Sequence, residues 1–465
     1  MSTDIRIPVH GSGGQPLYVA QEKIYPREID GRFARLRVLS VWVLLGLYYV
    51  LPWLNFNDRQ AVLFDLPARK FFIFGLVFWP QDFIFLALLL IIAALALFFF
   101  TAIGGRLWCG YACPQTVWTE TFLWMERFAE GDRNARQKLD RGPWNANKLA
   151  RKTGKQFLWV TFALWTGFTF VGFFTPIRTL GHEVIALSLG PWETFWVLFY
   201  AFATYGNAGY LREQVCKYMC PYARFQSAMF DKDTLIITYD GERGEPRGAR
   251  KRGTDPREQG LGDCIDCTWC VQVCPTGIDI RQGLQIECIA CAACIDACDE
   301  IMDKMGSPRG LIRYTTEHAL HHEPTRLLRP RVLIYGGLLG ALLIGFVTAI
   351  AIRSPVSLDV LRDRNTLYRL TDDGNVDNVY TLRILNKTER EQTFRIEARG
   401  ASKLTLVPVD REYRVASGTV YSLPLRVRRD AYDPVGPETI TLTVRSVEDP
   451  NISSTTDARF LAPAK

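Results

Sequence analysis

Eight of the twelve cysteines form two tandem copies of one pattern, Cys-x2-Cys-x2-Cys-x3-Cys. The first copy is Cys264, Cys267, Cys270 and Cys274, closed by Pro275; the second is Cys288, Cys291, Cys294 and Cys298. Thiolates this close together on a tight turn can all point inward at one cube of iron. In paired runs of this kind the fourth Cys binds the cluster of the other copy. The spacing therefore predicts one 4Fe-4S cluster on Cys264, Cys267, Cys270 and Cys298, and a second on Cys288, Cys291, Cys294 and Cys274. Structural zinc is the bland alternative, but its ligands come as two separated Cys-x2-Cys pairs. A chain built around such runs moves single electrons.

Apolar clumps set the rest of the architecture. Apolar residues make up 48% of the chain and aromatics 12%, high for a soluble protein, and they are unevenly spread. Five clumps approach the length of a bilayer-spanning helix, roughly 20 residues. They are Val38–Leu54, the uncharged Phe83–Ile103, Phe157–Phe174, the shorter Phe195–Gly209, and the clean Val332–Ile352. The stretch Phe71–Trp79 is too brief to span. It reads as an interfacial or re-entrant segment, with Trp79-Pro80 suited to a bend at the membrane surface.

Lys and Arg in the connections give the orientation. The arm before the first run carries Lys23, Arg27, Arg32, Arg35 and Arg37 and is expected inside. The next loop has Arg59, Arg69 and Lys70, offset by Asp58, Asp65 and Asp82. Residues 104–156 hold ten basic residues, the loop after the third run has Arg178 alone, and 211–330 is basic again. The alternation yields five spans in a bacterial inner membrane, with the N-terminus cytoplasmic and the C-terminus periplasmic. The polar arm ahead of the first run argues against a signal peptide. The net charge of +7 is accounted for by this topology signal and by attraction to membrane lipid. No recognition motif accompanies it, so nucleic acid is excluded as a partner. All twelve cysteines lie between 109 and 298, on or inside the reducing cytoplasmic face.

The membrane part is doubled. The second run ends in Trp108-Cys109-Gly110-Tyr111-Ala112-Cys113-Pro114, and the fourth in Cys216-Lys217-Tyr218-Met219-Cys220-Pro221. Both fall at the same membrane face, and parallel repeats put paired groups near the repeat interface. Residues four apart on a helix share a face, so two thiols can converge, and soft thiolates suit Cu(I). Cys109, Cys113, Cys216 and Cys220 thus permit a copper site, a redox dithiol pair or a third cluster. The structural alternative is four buried small residues at helix ends. Each copy's following Pro makes pure packing a poor account of the doubling.

Residues 231–262 turn polar and rich in Gly, Arg and Pro, a linker preceded by a short strand at 235–239; 306–330 is a further connector. After the fifth run the pattern switches to period two, at 366–370, 379–385, 393–398, 403–407, 420–427 and 439–444, with Asp372-Asp373-Gly374, Asn386-Lys387-Thr388 and Pro434-Val435-Gly436 as turns. Such spacing predicts an antiparallel immunoglobulin-like β-sandwich. None of the five histidines (His10, His182, His318, His321 and His322) lies in a predicted span, which excludes a membrane haem held by two His. His318, His321 and His322 read as a polar helix surface. Gly336-x3-Gly340 permits close helix packing, including a homodimer. No glycine-rich nucleotide loop follows a strand, so electrons arrive from an unnamed donor, a partner or a quinol.

With these elements in order, the chain resembles the cytochrome c oxidase accessory protein family CcoG (FixG/RdxA). The doubled Cys-x3-Cys-Pro, the paired cluster runs, the fifth span and the exported sandwich carry the resemblance, which covers essentially the whole chain. One local difference is Cys298-Asp299, where many ferredoxins have Cys-Pro. The fold class expected is a multi-domain integral membrane protein. Its parts are an arm (1–37), hairpin repeats with spans one to four (38–230), a linker and α+β two-cluster ferredoxin domain (231–330), a fifth span (331–352) and an all-β sandwich (353–465). The resemblance implies two 4Fe-4S clusters. It also implies reduction of Cu(II) to Cu(I) for assembly of a cbb-type oxidase, with oxidase subunits or copper chaperones as partners. On this reading Cys109, Cys113, Cys216 and Cys220 are the catalytic thiols. The rival readings are a quinol-linked subunit feeding a periplasmic reductase, and a non-catalytic assembly scaffold.

Overall fold

The computed structural model describes residues 23–363, 366–388, 390–409, 411–430 and 436–463. The start of the arm, with His10, and part of the turn at Pro434-Val435-Gly436 lie outside the described residues. The chain divides into two compact units. One takes residues up to 45, 100–164 and 201–329; the other takes 46–99, 165–200 and 330–465.

Among the described residues, three helical stretches are long and apolar enough to cross a membrane: Arg32–Trp53, Pro80–Gly104 and Pro330–Ala351. The second shows why such a sequence folds this way. Pro80 fits the first turn, the Asp82 carboxylate accepts from the Trp79 amide at 3.0 Å, and no charge interrupts the run to Gly104. The helix stops at Gly105, whose φ of +56° only a residue without Cβ adopts easily. The third expected run lies in the helix Ala146–Val171, whose first turns are cationic with Lys148, Arg151, Lys152 and Lys155. The fourth is the 14-residue helix Pro191–Thr204. At 1.5 Å per residue this covers only about 21 Å of a roughly 30 Å hydrocarbon core. It continues into a wide turn, Tyr205–Leu211, closed by Arg212 N–H donating to the Asn207 carbonyl at 2.7 Å.

Phe71–Trp79 is not a re-entrant segment. Strands Lys70–Ile73 and Leu76–Phe78 turn back on each other and pair with Val62–Asp65 in a three-stranded antiparallel sheet. The backbone groups that a re-entrant loop would leave unsatisfied in lipid are paired here. In the same unit Asp82 is buried and takes Arg353 and Lys387, the latter at 3.2 Å. Gly336 packs against the Phe99 ring, which a Cβ would approach to 3.1 Å.

The C-terminal part is a sandwich of two antiparallel sheets. One orders Leu404–Val407, Val420–Arg429, Val376–Asn386 and Val356–Arg362, with Arg369–Leu370 beside Val376–Asn386; the other orders Glu412–Val415, Gln392–Arg399, Glu438–Ser446 and Ser453–Phe460. Tyr380, Leu382, Ile384, Leu425, Val427, Phe394, Ile440, Leu442, Val444 and Phe460 fill the space between them. The inward residues alternate along each strand, as a pleated sheet with one buried face requires.

The polar stretches 231–262 and 306–330 are packed rather than slack. Ile236–Tyr239 pairs antiparallel with Ile312–Thr315, and Ile237, Tyr239, Leu311 and Ile312 are buried beside the cluster cysteines. Gly248 N–H donates to the Cys264 carbonyl at 3.1 Å, and Gly262 N–H to that of Pro246 at 2.8 Å. His318, on the short helix Glu317–Leu320, sets its ring nitrogen 2.8 Å from Asp233. His321 and His322 lie past the end of that helix, so the three histidines do not share one helix face.

Candidate functional site

The two cysteine runs fold alike. Each turns through the left-handed region twice, at Asp266 and Thr268 in the first and at Ala290 and Ala292 in the second, with φ between 54° and 60°. Positive φ on such residues carries strain, and here it wraps the loop so that successive thiols face one point. Each run then enters a helix, Trp269–Gln272 or Ala293–Met305.

The thiols gather into two small cavities. Cys264, Cys267, Cys270 and Cys298 line one, with Ile265, Ile301, Met302 and Leu311; Cys274, Cys288, Cys291 and Cys294 line the other, with Ile237, Ile278 and Ile280. Cys270 borders both. All twelve cysteines of the chain are free thiols. Burial pushes the Cys270, Cys288 and Cys298 thiols up to about 12, with neighbouring thiols adding to the shift for all three. Cys294 is driven well above the ordinary thiol value by burial and then by Cys291, Cys288 and Cys274. Such groups ionise only with strong positive charge between them, and iron supplies it. Apolar walls, four sulfurs per cavity and no disulfide therefore fit a cluster in each.

The two Cys-x3-Cys-Pro motifs are copies in three dimensions as well. In each, the second Cys donates its amide to a carbonyl five residues back, Cys113 to Trp108 and Cys220 to Val215, both at 2.8 Å. Such π-type closures recur at functional sites. Pro114 and Pro221 then each open a helix. Burial raises the Cys109 thiol to about 11 and Cys216 to about 12; Cys113 and Cys220 add to the first, and Cys113, Cys109 and Cys220 to the second. The four thiols thus lie within electrostatic reach of one another. Cys109 Sγ also sits 3.4 Å from Gln226 Oε1. Among the described residues, no three His, Cys, Asp or Glu side chains close on a single-ion site.

Both motifs dock beside the same cysteine cavity, the first on the Cys288–Cys291 loop and the second next to Cys274. A Cβ on Gly110 would lie 2.7 Å from the Ala290 carbonyl oxygen, so the first turn touches the Cys288–Cys291 loop backbone to backbone. Arg106 donates to the Cys288 carbonyl at 3.0 Å, and Tyr314, whose hydroxyl lies 3.3 Å from that of Tyr111, donates to Ala290 at 2.6 Å. Lys217, inside the second motif, donates to the Thr276 carbonyl at 3.1 Å, next to Cys274-Pro275.

Sequence reasoning missed the groups that hold these parts together. Asp296, on the cluster helix, accepts from the Ala34 amide at 2.7 Å and the Phe33 amide at 3.2 Å, capping the first span from outside it. Arg27 stacks 3.9 Å from the Trp269 ring. Glu126 is fully buried and faces Arg212 at 2.9 Å, Arg136 at 3.1 Å, Lys23 at 3.5 Å and Lys155 at 3.8 Å. No local pattern marks Asp296 or Glu126. Gly110, between two cysteines of a doubled motif, was the one signal available.

Comparison with known proteins agrees with this layout. Residues 211–317 match the family model of a 4Fe-4S dicluster domain, 86–130 that of a 4Fe-4S binding domain, and 346–463 that of the IG-like fold at the C-terminus of FixG. The chain is 40% identical over 428 residues to the nitrogen fixation protein FixG of Rhizobium meliloti, covering 84% of this chain and 82% of that one. It is 42% identical over 404 residues to protein RdxB of Cereibacter sphaeroides, covering 84% of each chain. It is 43% identical over 409 residues to protein RdxA of the same organism, covering 84% of this chain and 85% of the other. With clustered thiols, apolar spans and an immunoglobulin-like end in one polypeptide, the chain is an iron–sulfur redox protein and belongs to the FixG/RdxA family.

Proposed function

We propose that the protein is a membrane-anchored oxidoreductase that reduces Cu(II) to Cu(I) for assembly of a cbb-type haem–copper oxidase. The observation that carries this reading is the docking of both Cys-x3-Cys-Pro turns beside one cysteine cavity, the first on the Cys288–Cys291 loop through Gly110 and Arg106 and the second on Thr276 through Lys217. A bound 4Fe-4S cluster supplies storage for one electron at low potential. Cys264, Cys267, Cys270 and Cys298 would hold one, and Cys274, Cys288, Cys291 and Cys294 the other. Cys109, Cys113, Cys216 and Cys220 receive the copper substrate. Cys109, Cys113 and Cys216, whose thiols are raised by desolvation, keep their protons until a cation arrives, and thiolate donors favour the cuprous over the cupric ion. Each Cu(II) gains one electron and leaves as Cu(I). Five spans, with the paired runs on the cytoplasmic side and the sandwich in the periplasm, complete the proposal. The basic connections support that orientation.

One observation favours a second reading of the four outer thiols. The 4Fe-4S binding model matches residues 86–130, and the cysteines in that stretch are Cys109 and Cys113. On that reading Cys109, Cys113, Cys216 and Cys220 would hold a third cluster. Iron analysis of anaerobically prepared protein separates the two: about eight irons per chain for copper-binding thiols, about twelve for a third cluster. Cys109→Ser and Cys216→Ser test the function. Both are expected to retain the absorbance of the two inner clusters and to lose Cu(II) reduction after dithionite treatment. Wild-type rates in either variant would remove the outer thiols from the reaction.

A further inference from the structure

The unit that holds the cysteines also encloses a cavity of about 410 Å³, within the range of small-molecule sites. Cys291, from the second run, and Cys216, from the second Cys-x3-Cys-Pro turn, both border it. The copper reading gives it no role. Resting on that redox reading, we propose that this cavity binds the ring headgroup of a membrane quinol, the two-electron donor to the protein.

Its position favours a lipid-borne ligand. Val38, Leu39 and Trp42 form part of the wall and lie on the helix Arg32–Val50, which belongs to a candidate span. Leu39 is 59% exposed and Trp42 68% exposed, so the rim turns an apolar surface outward. A hydrophobic tail can rest there while the ring enters. Polar side chains share the lining with Leu123, Val273 and Ile289. Arg35 and Thr119 line the cavity as donors for the ring oxygens, and Glu120 is a carboxylate within reach of the same space. Glu120 is held in place by Trp124 Nε1–H at 2.9 Å and by Arg127 at 3.3 Å.

The chemistry balances. Oxidation of a quinol to a quinone breaks two O–H bonds and releases two electrons and two protons. The protons pass to Glu120 and to water at the rim. Two iron–sulfur centres, each taking one electron, match a two-electron donor. A nicotinamide or flavin donor fits less well, because no glycine-rich nucleotide loop occurs in the chain.

The test uses the full-length protein in lipid nanodiscs. A photoreactive short-chain quinone is expected to label peptides from residues 24–42 and 114–130, and excess unlabelled quinone to displace it. A short-chain quinol is expected to bleach the cluster absorbance. Thr119→Trp, which fills the cavity, and Val38→Trp, which blocks the rim, should each slow the bleaching at least tenfold, with iron content and the dithionite-reduced spectrum unchanged. Labelling confined to other segments, or bleaching at the wild-type rate in both variants, overturns the proposal. Dithionite-reduced protein mixed with Cu(II) keeps the two ideas apart. Reoxidation by copper without reduction by quinol removes the cavity assignment alone; the reverse removes the copper reading and leaves the cavity standing.

Discussion

Removing the charge of Glu126 should loosen one defined region. Glu126 and Arg136 are both wholly buried, and Arg212 is nearly so. Burial alone raises the carboxyl; Arg212, then Lys23, Arg136 and Lys155, outweigh it and leave it at about 2 against an ordinary 4.5. At about 1.4 kcal/mol per pKa unit, this favours the ionised folded state by about 3 kcal/mol. The figure agrees with the roughly 3–5 kcal/mol that breaking a buried ion pair costs. Because the folded value is depressed, the stabilisation is fully present above 4.5 and is lost as pH falls from there through about 2. Glu126→Gln should therefore show the same deficit at about pH 6 and about pH 8. Arg212 also donates to the Gly209 carbonyl at 2.8 Å, and its own carbonyl accepts from Gln115 at 3.1 Å, so the deficit should reach the wide turn before Cys216. Hydrogen exchange reads it directly. Amides of 115–136 and 205–220 should exchange about 200-fold faster, while those of the sandwich stay unchanged. Unaltered exchange in 205–220 would refute the claim that this network braces the thiol turn.

Two further substitutions probe other contacts. Gly110→Ala places a methyl 2.7 Å from the Ala290 carbonyl; backbone against backbone, it should cost about 1–3 kcal/mol and lower iron by about four atoms per chain. Full iron content would show that the two turns separate without harm. Asp82→Asn leaves Arg353 and Lys387, each with about a tenth of its side chain exposed, without their shared anion. The loss should be about 3 kcal/mol, read as faster exchange at 353–358 and 385–388 with cluster spectra unaltered; unchanged exchange there would refute the pinning role of Asp82.

What the sequence disclosed depended on how far apart the interacting residues lie. The clustering of the cysteine runs was legible because their geometry is local: two or three residues fix where each thiol points, and the eight thiols line two adjoining cavities that share Cys270. The uncharged runs before Gly104 and Ala351 were legible for the same reason. Alternation gave the central sandwich strands, but not Ser453–Phe460, whose polar SSTTDAR face hides its pairing with Glu438–Ser446. Phe71–Trp79 left the interfacial and re-entrant readings level, because an apolar stretch with a turn in its middle has the same composition as a membrane dip. The packing of 231–262 was hidden because backbone pairing, as between Gly248 and Cys264, leaves no mark on composition.

The cap on the first span constrains how the molecule can be made. Its leading amides emerge from the ribosome with no acceptor of their own, and Asp296 follows 262 residues after Ala34. Asp296 stands between Cys294 and Cys298 on the helix Ala293–Met305, so the start of the first span is tied to the segment that carries those two sulfurs. The first span thus gains its cap only after about two thirds of the chain has been synthesised.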